Sequence, residues 1–278
     1  MIPRLRRYGT VCLVIAFMLS GPAVAFSFSP ASVSGIADEK MEAAAEKAFE
    51  EINKKMSKAQ EAYYKPLTEA REKGLSDKEM EKIELDPALD PVMVVGPEML
   101  KAIDKYAGTD AALGACDQLL ALAGRSESAG WMAEKALSAL KTHYLKNEKL
   151  VDVLRYAHYC SDAMAPAMCD FLSVVVSDSP HREVQAAGCY SLAKIKGKKE
   201  ETRSEGLALL KRVQDEYGDV SYGRSVHADK VKGDLFEMKN LQVGCVAPEI
   251  IGKEISGKLM QLSSFRGKVI LLDFWGDW

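Results

Sequence analysis

Apolar positions along this chain are spaced as helices over most of its length and as strands only near the C-terminal end. From Glu98 to about Asn240 one helical pattern follows another, with short breaks at Gly108, Gly124, Asn147, Ser161, Ser179, Gly197 and Gly218. Ser179-Pro180 has the form of an N-cap followed by proline at the first helical position, and predicts a helix through HREVQAAGCYSLAKIK. The next segment, EGLALLKRVQDEYG, sets Leu207, Leu210, Val213 and Tyr217 at steps of three, three and four, which is one helical face. Ala228, Val231, Leu235 and Met238 repeat the scheme. Short connections imply antiparallel neighbours, so residues 98–240 read as a mostly α, helical-repeat-like array of stacked hairpins, without a strict repeat period. Such arrays often bind peptides, but most of their residues are core, and no exposed aromatic or basic cluster is legible in this one.

The pattern weakens towards the N-terminus. Asp38 to Asp86 is crowded with Glu and Lys, and pairs such as Glu50–Lys54 and Glu51–Lys55 support a helix at i,i+4 spacing. Its apolar stripe is thin, which leaves a solvated helical hairpin or a partly disordered arm as alternatives. Pro66 is expected to kink or end the helix. Pro87, Pro91 and Pro97 mark Leu85–Pro97 as a linker, so that 38–97 reads as a charged helical segment and its connection. Residues 26–37 read as a flexible tether.

The first 25 residues have a separate logic. Arg4, Arg6 and Arg7 precede a short apolar core from Val11 to Leu19, then a Ser20-Gly21-Pro22 break and Ala23-Val24-Ala25 with small residues at the cleavage positions. That order is a secretory signal peptide over 1–25 and implies an exported, periplasmic or secreted, protein. An uncleaved anchor, the alternative, calls for about 20 apolar residues, and this run is shorter. With the signal removed, no membrane span is expected.

At Leu241 the grammar changes again. Gly257-Lys258 reads as a hairpin turn between β-rich stretches, and Ser263-Ser264-Phe265-Arg266-Gly267 as a helical turn closing on glycine. In the stretch from Lys268 to Trp275 the apolar residues, Val269 to Leu272 with Phe274 and Trp275, then run continuously rather than alternating, the pattern of a strand covered on both faces. Val269, Ile270, Leu271, Leu272, Phe274 and Trp275 would each gain about 1.5–3 kcal/mol on full burial. Residues 241–278 supply no element to cover them, so the pattern implies an incomplete domain.

A net charge of −3 and interspersed charge signs give no global attraction to nucleic acid or to an anionic membrane. The cysteines beyond Cys12 (Cys116, Cys160, Cys169, Cys189 and Cys245) are sparse and odd in number, and none forms Cys-x-x-Cys. Export permits a disulfide, and Cys160 with Cys169 is one candidate pair; small buried apolar thiols are the other reading. His143, His158, His181 and His227 lack ligand spacing, so neither a metal nor another cofactor is expected.

The segment VGCVAPEIIGKEISGKLMQLSSFRGKVILLDFWGDW resembles the opening of a redoxin domain, the thioredoxin-fold family that includes AhpC/TSA peroxiredoxin-like and exported TlpA-like thiol–disulfide oxidoreductases. The phrases that carry the likeness are Val243-Gly244, Ala247-Pro248, Gly257-Lys258, Leu262-Ser263 before Phe265-Arg266-Gly267-Lys268, and Asp273-Phe274-Trp275-x-x-Trp278. The likeness covers residues 241–278; SPHREVQAAGCYSLAKI is more loosely similar to helical segments that precede redoxin domains in exported bacterial proteins. It implies a thioredoxin-like α/β domain of which 241–278 is the first hairpin and strand.

In that family the last phrase runs directly into Cys-x-x-Cys at a helix N-terminus, which lowers the pKa of the attacking thiol. The resemblance makes Asp273 the buried carboxylate that accepts the resolving cysteine's proton, and Trp275 and Trp278 the aromatic wall. The nucleophile is expected immediately after Trp278, so the chain as given is expected to be inactive. The implied partners are protein disulfides or a peroxide together with a thiol reductant. Some redox proteins use selenocysteine at this position, encoded by UGA. The expectation is therefore a UGA codon after Trp278, followed in frame by x-x-Cys and the remaining domain. The alternative is a non-catalytic exported helical adaptor with a vestigial redoxin strand.

Overall fold

The computed structural model describes residues 31–124, 128–223 and 225–273. The signal-peptide reading therefore lies outside the described residues, as do Phe274, Trp275 and Trp278. Ten α-helices account for most of the described chain, with two small antiparallel hairpins. The mostly α expectation holds. No helix among the described residues is long and apolar enough to cross a membrane.

Helix α1 spans Ala31–Glu72, and it begins inside the stretch read as a tether. It continues through Pro66, so that of the two outcomes expected at this proline, a kink or an end, the helix does not end there. The missing N–H removes one ladder bond, which the turns on either side outlast. Nor is the segment an unattached arm. Ala45, Phe49, Ile52 and Met56, at steps of four, three and four, are buried in the main core. The stripe is thin because one small residue and three larger ones suffice to seat the helix, and the rest of its surface stays charged.

Glu42 fixes the register of that docking. Its carboxylate accepts from the backbone N–H groups of Asp110 and Ala111, both at 2.8 Å. These are free donors at the start of α4 (Asp110–Ala123), where a negative charge also opposes the helix dipole. Thr109 Oγ1 accepts from Ala112 in the same turn. Glu42→Ala is expected to lower stability by about 1–2 kcal/mol, as the loss of an N-cap does. A denaturant midpoint unchanged from the parent would remove the cap from the account.

The proline-marked linker is also shorter than expected. Helix α2 (Asp77–Met80) and a 3₁₀ turn at Pro87–Leu89 lead into α3, which already starts at Pro91 and runs to Lys105. Asp90 caps it by accepting from the Val92 N–H at 2.9 Å, and Pro91 occupies the first helical position, where no N–H is needed. Pro97 lies within the helix.

The remaining helices follow in order: α5 (Gly130–His143), α6 (Leu150–Leu154), α7 (Ala165–Asp178), α8 (Arg182–Gly197), α9 (Arg203–Tyr217) and α10 (His227–Asn240). Sequential helices pack on one another, most extensively α8 on α9 and α7 on α8. Helix α8 divides the interior. Val184, Ala187, Leu192 and Ile195 face the main core with α1 and α3–α7. Ala186, Cys189, Tyr190 and Ala193 face a second core shared with α9 and α10. The start of α8 is a correction: Ser179 ends α7 as its C-cap, and His181 is the N-cap. Ser179 keeps local bonds, its carbonyl accepting from Gln185 Nε2 at 2.8 Å, and the chain turns through Pro180 before the helix begins.

After β1 (Ser221–Tyr222) and β2 (Ser225–Val226), which close the turn before α10, the second hairpin pairs β3 (Ile251–Lys253) with β4 (Leu259–Gln261). Gly257, with φ of 84°, supplies the left-handed position that its turn requires. A 3₁₀ turn over Leu262–Phe265 follows, and Glu249 ties it back by accepting from the Ser263 N–H at 3.1 Å. The hairpin and the helical turn thus stand where the sequence placed them.

The strand expected from Lys268 does not form over the described residues 268–273. Val269 and Leu271 are fully or almost fully exposed, at 103% and 93%. A strand draws its stability from a neighbour's ladder and a covering face, and neither is present here. Deleting residues 241–278 is therefore expected to leave the thermal midpoint of the helical part unchanged and to improve solubility. A drop of several degrees would mean instead that the segment is integral to the helical fold.

Candidate functional site

Of the three residues that the redoxin resemblance places at the active site, Asp273, Trp275 and Trp278, only Asp273 is described, and it is exposed in irregular chain. The desolvation that the family role of that carboxylate needs is absent at this position. The covering elements that would provide it are not among the described residues.

The cysteines of the helical part behave as packing residues. Cys116 and Cys189 are fully buried, and burial pushes their thiols up to about 12 and about 11 respectively. Cys160 and Cys169 are free thiols, also raised by burial. They line one cleft of about 240 Å³ together with Lys196, Lys198 and Lys199. Cys245 is exposed and free. Of the two readings of Cys160 and Cys169, the unbridged one describes this structure.

Two histidines lie inside the array. His158 Nδ1 is 3.4 Å from Ser191 Oγ, and its ring stands edge-on to Tyr190 with centroids 5.6 Å apart. Tyr190 in turn meets the His227 ring edge-on at 5.9 Å. Burial, reinforced by the Lys194 and Lys198 charges, pushes His158 down to about 4, and burial also lowers His227. A folded-state value below the ordinary one, about 6.5, means the unfolded chain binds the extra proton. The full stability is present above about pH 6.5 and is lost as the pH falls towards about 4. The loss has a slope of up to about 1.4 kcal/mol per pH unit per group. His158→Gln is expected to flatten part of that acid limb in pH-dependent urea unfolding; an unaltered limb would show that His158 does not carry it.

A concavity of about 270 Å³ lies between the end of α4, the 3₁₀ turn Ala157–Tyr159 and the start of α7. The local sequence RYAHYCSD builds its outer wall. In a 3₁₀ turn residues i and i+3 eclipse, so Tyr156 and Tyr159 emerge on one side while Ala157 and His158 point into the core. The tyrosines are 65% and 75% exposed, with ring centroids 6.4 Å apart and planes 30° from parallel. Lys198 Nζ holds the turn from behind by donating to the His158 carbonyl at 2.9 Å.

Met164, Met168 and Phe171, all buried, form the floor. Ser161 Oγ donates to the Gly124 carbonyl at 2.6 Å and closes one end. Asp117 lines the α4 side, its carboxyl held above the usual carboxylate range first by burial and then by the neighbouring Asp152 charge. An apolar floor, two exposed tyrosine rings and one carboxylate line this concavity.

The sequence reading found no exposed aromatic cluster, and Tyr156 with Tyr159 corrects it. The signal was the Tyr-x-x-Tyr spacing, which is ambiguous until the turn is known to be 3₁₀ and His158 to be the buried member. Among the described residues no group of three or more His, Cys, Asp or Glu is placed to hold a metal. No family model, curated protein or solved structure matches this chain.

Proposed function

We propose that this chain carries the opening part of an exported thiol–disulfide oxidoreductase or peroxiredoxin-like protein of the cell envelope, with a helical-repeat-like array preceding a thioredoxin-like domain. The observation that supports the reading is the order of elements after α10. A hairpin turning at Gly257 and a 3₁₀ turn closing at Gly267 lead directly into an apolar run, Val269 to Leu272, that exposes side chains on both faces. Such a run calls for a sheet around it, and the redoxin resemblance supplies one. Its chemistry would be attack by a helix-N-terminal thiolate or selenolate on a disulfide or peroxide, resolved by a second cysteine. Asp273, Trp275 and Trp278 would flank that centre, Asp273 becoming buried once the sheet is complete.

Reading the coding frame beyond the Trp278 codon tests the proposal. Cys-x-x-Cys, or a UGA codon followed by x-x-Cys, with redoxin-like sequence after it, is the expected result. The protein expressed through that frame should then reduce insulin disulfides or consume peroxide. A frame without redoxin-like sequence, or an extended protein inert in both assays, would sink it.

A second reading, a non-catalytic helical adaptor, is favoured by one observation: the open cleft walled by Tyr156 and Tyr159. Both readings place the protein outside the cytoplasm, on the strength of the first 25 residues of the sequence.

A further inference from the structure

The cleft between α4, the 157–159 turn and α7 has walls that select for one kind of ligand. Aromatic faces carry negative potential and attract a cation held within about 6 Å of the ring, most strongly where water is excluded. Tyr156 and Tyr159 line the cavity with exposed rings 30° from parallel, the Tyr159 ring also lying 4.2 Å from the His158 ring on one side. Asp117, on α4, adds a carboxylate to the lining, and none of the ion pairs formed among the described residues includes it. The floor of Met164, Met168 and Phe171 is apolar and suits a hydrocarbon stem. Methionine thioethers also adapt to the shape of what they contact.

Size narrows the choice. The volume of about 270 Å³ lies just under the range, from about 300 Å³ upwards, in which whole small-molecule ligands are usually held. A single long side chain is the better match. Between the two basic side chains, lysine ends in a compact, strongly hydrated charge, whereas arginine ends in a plane that stacks on rings and binds a carboxylate through two N–H groups.

We propose that this cleft is a docking site for an arginine side chain projecting from a partner polypeptide. Its methylene stem lies over Met164 and Met168, its guanidinium plane packs on Tyr156 and Tyr159, and its N–H groups donate to the Asp117 carboxylate. The inference rests on the adaptor reading of the helical array, to which it adds a ligand class, and is independent of the thiol chemistry.

The test is a ligand-observed NMR titration of the full chain with the peptide acetyl-Gly-Ala-Arg-Ala-Gly-amide and its norleucine counterpart. The arginine peptide should bind, with the norleucine peptide weaker by roughly tenfold or more, the factor set by losing one desolvated cation contact. Asp117→Asn, nearly isosteric, should weaken the arginine peptide by a similar factor, and Tyr156→Ser with Tyr159→Ser should abolish its binding. Unchanged far-ultraviolet circular dichroism identifies the variants that remain folded, and the exposed tyrosines make loss of fold there unexpected. Equal binding of the two peptides, sensitive to the tyrosine changes, would overturn the arginine assignment while leaving the adaptor reading in place. Binding unaffected by Asp117→Asn would also overturn it, and absence of binding by either peptide would remove both.

Discussion

Asp234→Ala is expected to destabilise the protein by about 3 kcal/mol, the lower end of the range for breaking a buried charge pair from one side. Asp234, on α10, is 7% exposed. It accepts from the Tyr190 hydroxyl at 2.8 Å and from Lys194 Nζ at 2.7 Å, and so joins α10 to α8 across the second core. Truncation takes this acceptor away from a buried phenol and a largely buried ammonium, and the remaining carboxylate, Glu237, stands 3.8 Å from Lys194. That residual contact, with Lys194 still partly in water, is why the lower end applies. Asp234→Asn, which retains an acceptor for Tyr190 but loses the charge, should cost clearly less. Replacing the trio together, with Tyr190→Phe, Lys194→Met and Asp234→Leu, should recover most of the loss, because desolvating the pair offsets much of what it gains. Urea unfolding of the three variants decides; a change under about 1 kcal/mol for Asp234→Ala, the size of a surface pair, would show that the contact is not buried in solution.

Gly206→Ala is the second large effect, and here two terms oppose each other. Alanine is favoured over glycine in a helix by about 1 kcal/mol. At Gly206, however, a Cβ would lie 2.7 Å from the Gly197 nitrogen, 2.9 Å from the Ala193 oxygen and 2.9 Å from the Gly197 Cα. All three are backbone atoms of α8, so no side chain can swing aside and the two helices must separate. Overpacking of that kind costs about 1–3 kcal/mol and more when backbones must move, which outweighs the propensity gain. A net loss of about 2 kcal/mol is expected, and more for Gly206→Val. Gly233→Ala on α10, with nothing within 4 Å of the added carbon, is the control and should be neutral or stabilising. If Gly206→Ala matched this control in thermal denaturation, the close α8–α9 contact would be wrong.

The sequence by itself determined the elements whose signals are local. Leu210, Val213 and Tyr217 sit on one face at helical steps, and all three are buried where that face meets α8. Gly257 marks the hairpin, because only glycine adopts that positive φ without strain, and Gly267 likewise closes the turn before the apolar run. Such signals survive because they depend on neighbours a few residues away.

Tertiary structure decided what depends on distant partners. Whether α1 floats or docks turned on Ala45, Phe49, Ile52 and Met56 finding the faces of α3 and α4, and on Glu42 reaching the N-terminus of α4. Pro91 and Pro97 looked like punctuation, but an aspartate cap and a buried face drew them into α3. The cleft was illegible for the same reason. Tyr156, Tyr159 and Met164 share one stretch and Asp117 lies well before it, and whether each is core or rim is settled only when His158 turns inward. The run after Lys268 shows the converse. Its composition demands burial, yet a strand exists only when a ladder and a covering face reach it, and here Val269 and Leu271 remain in water.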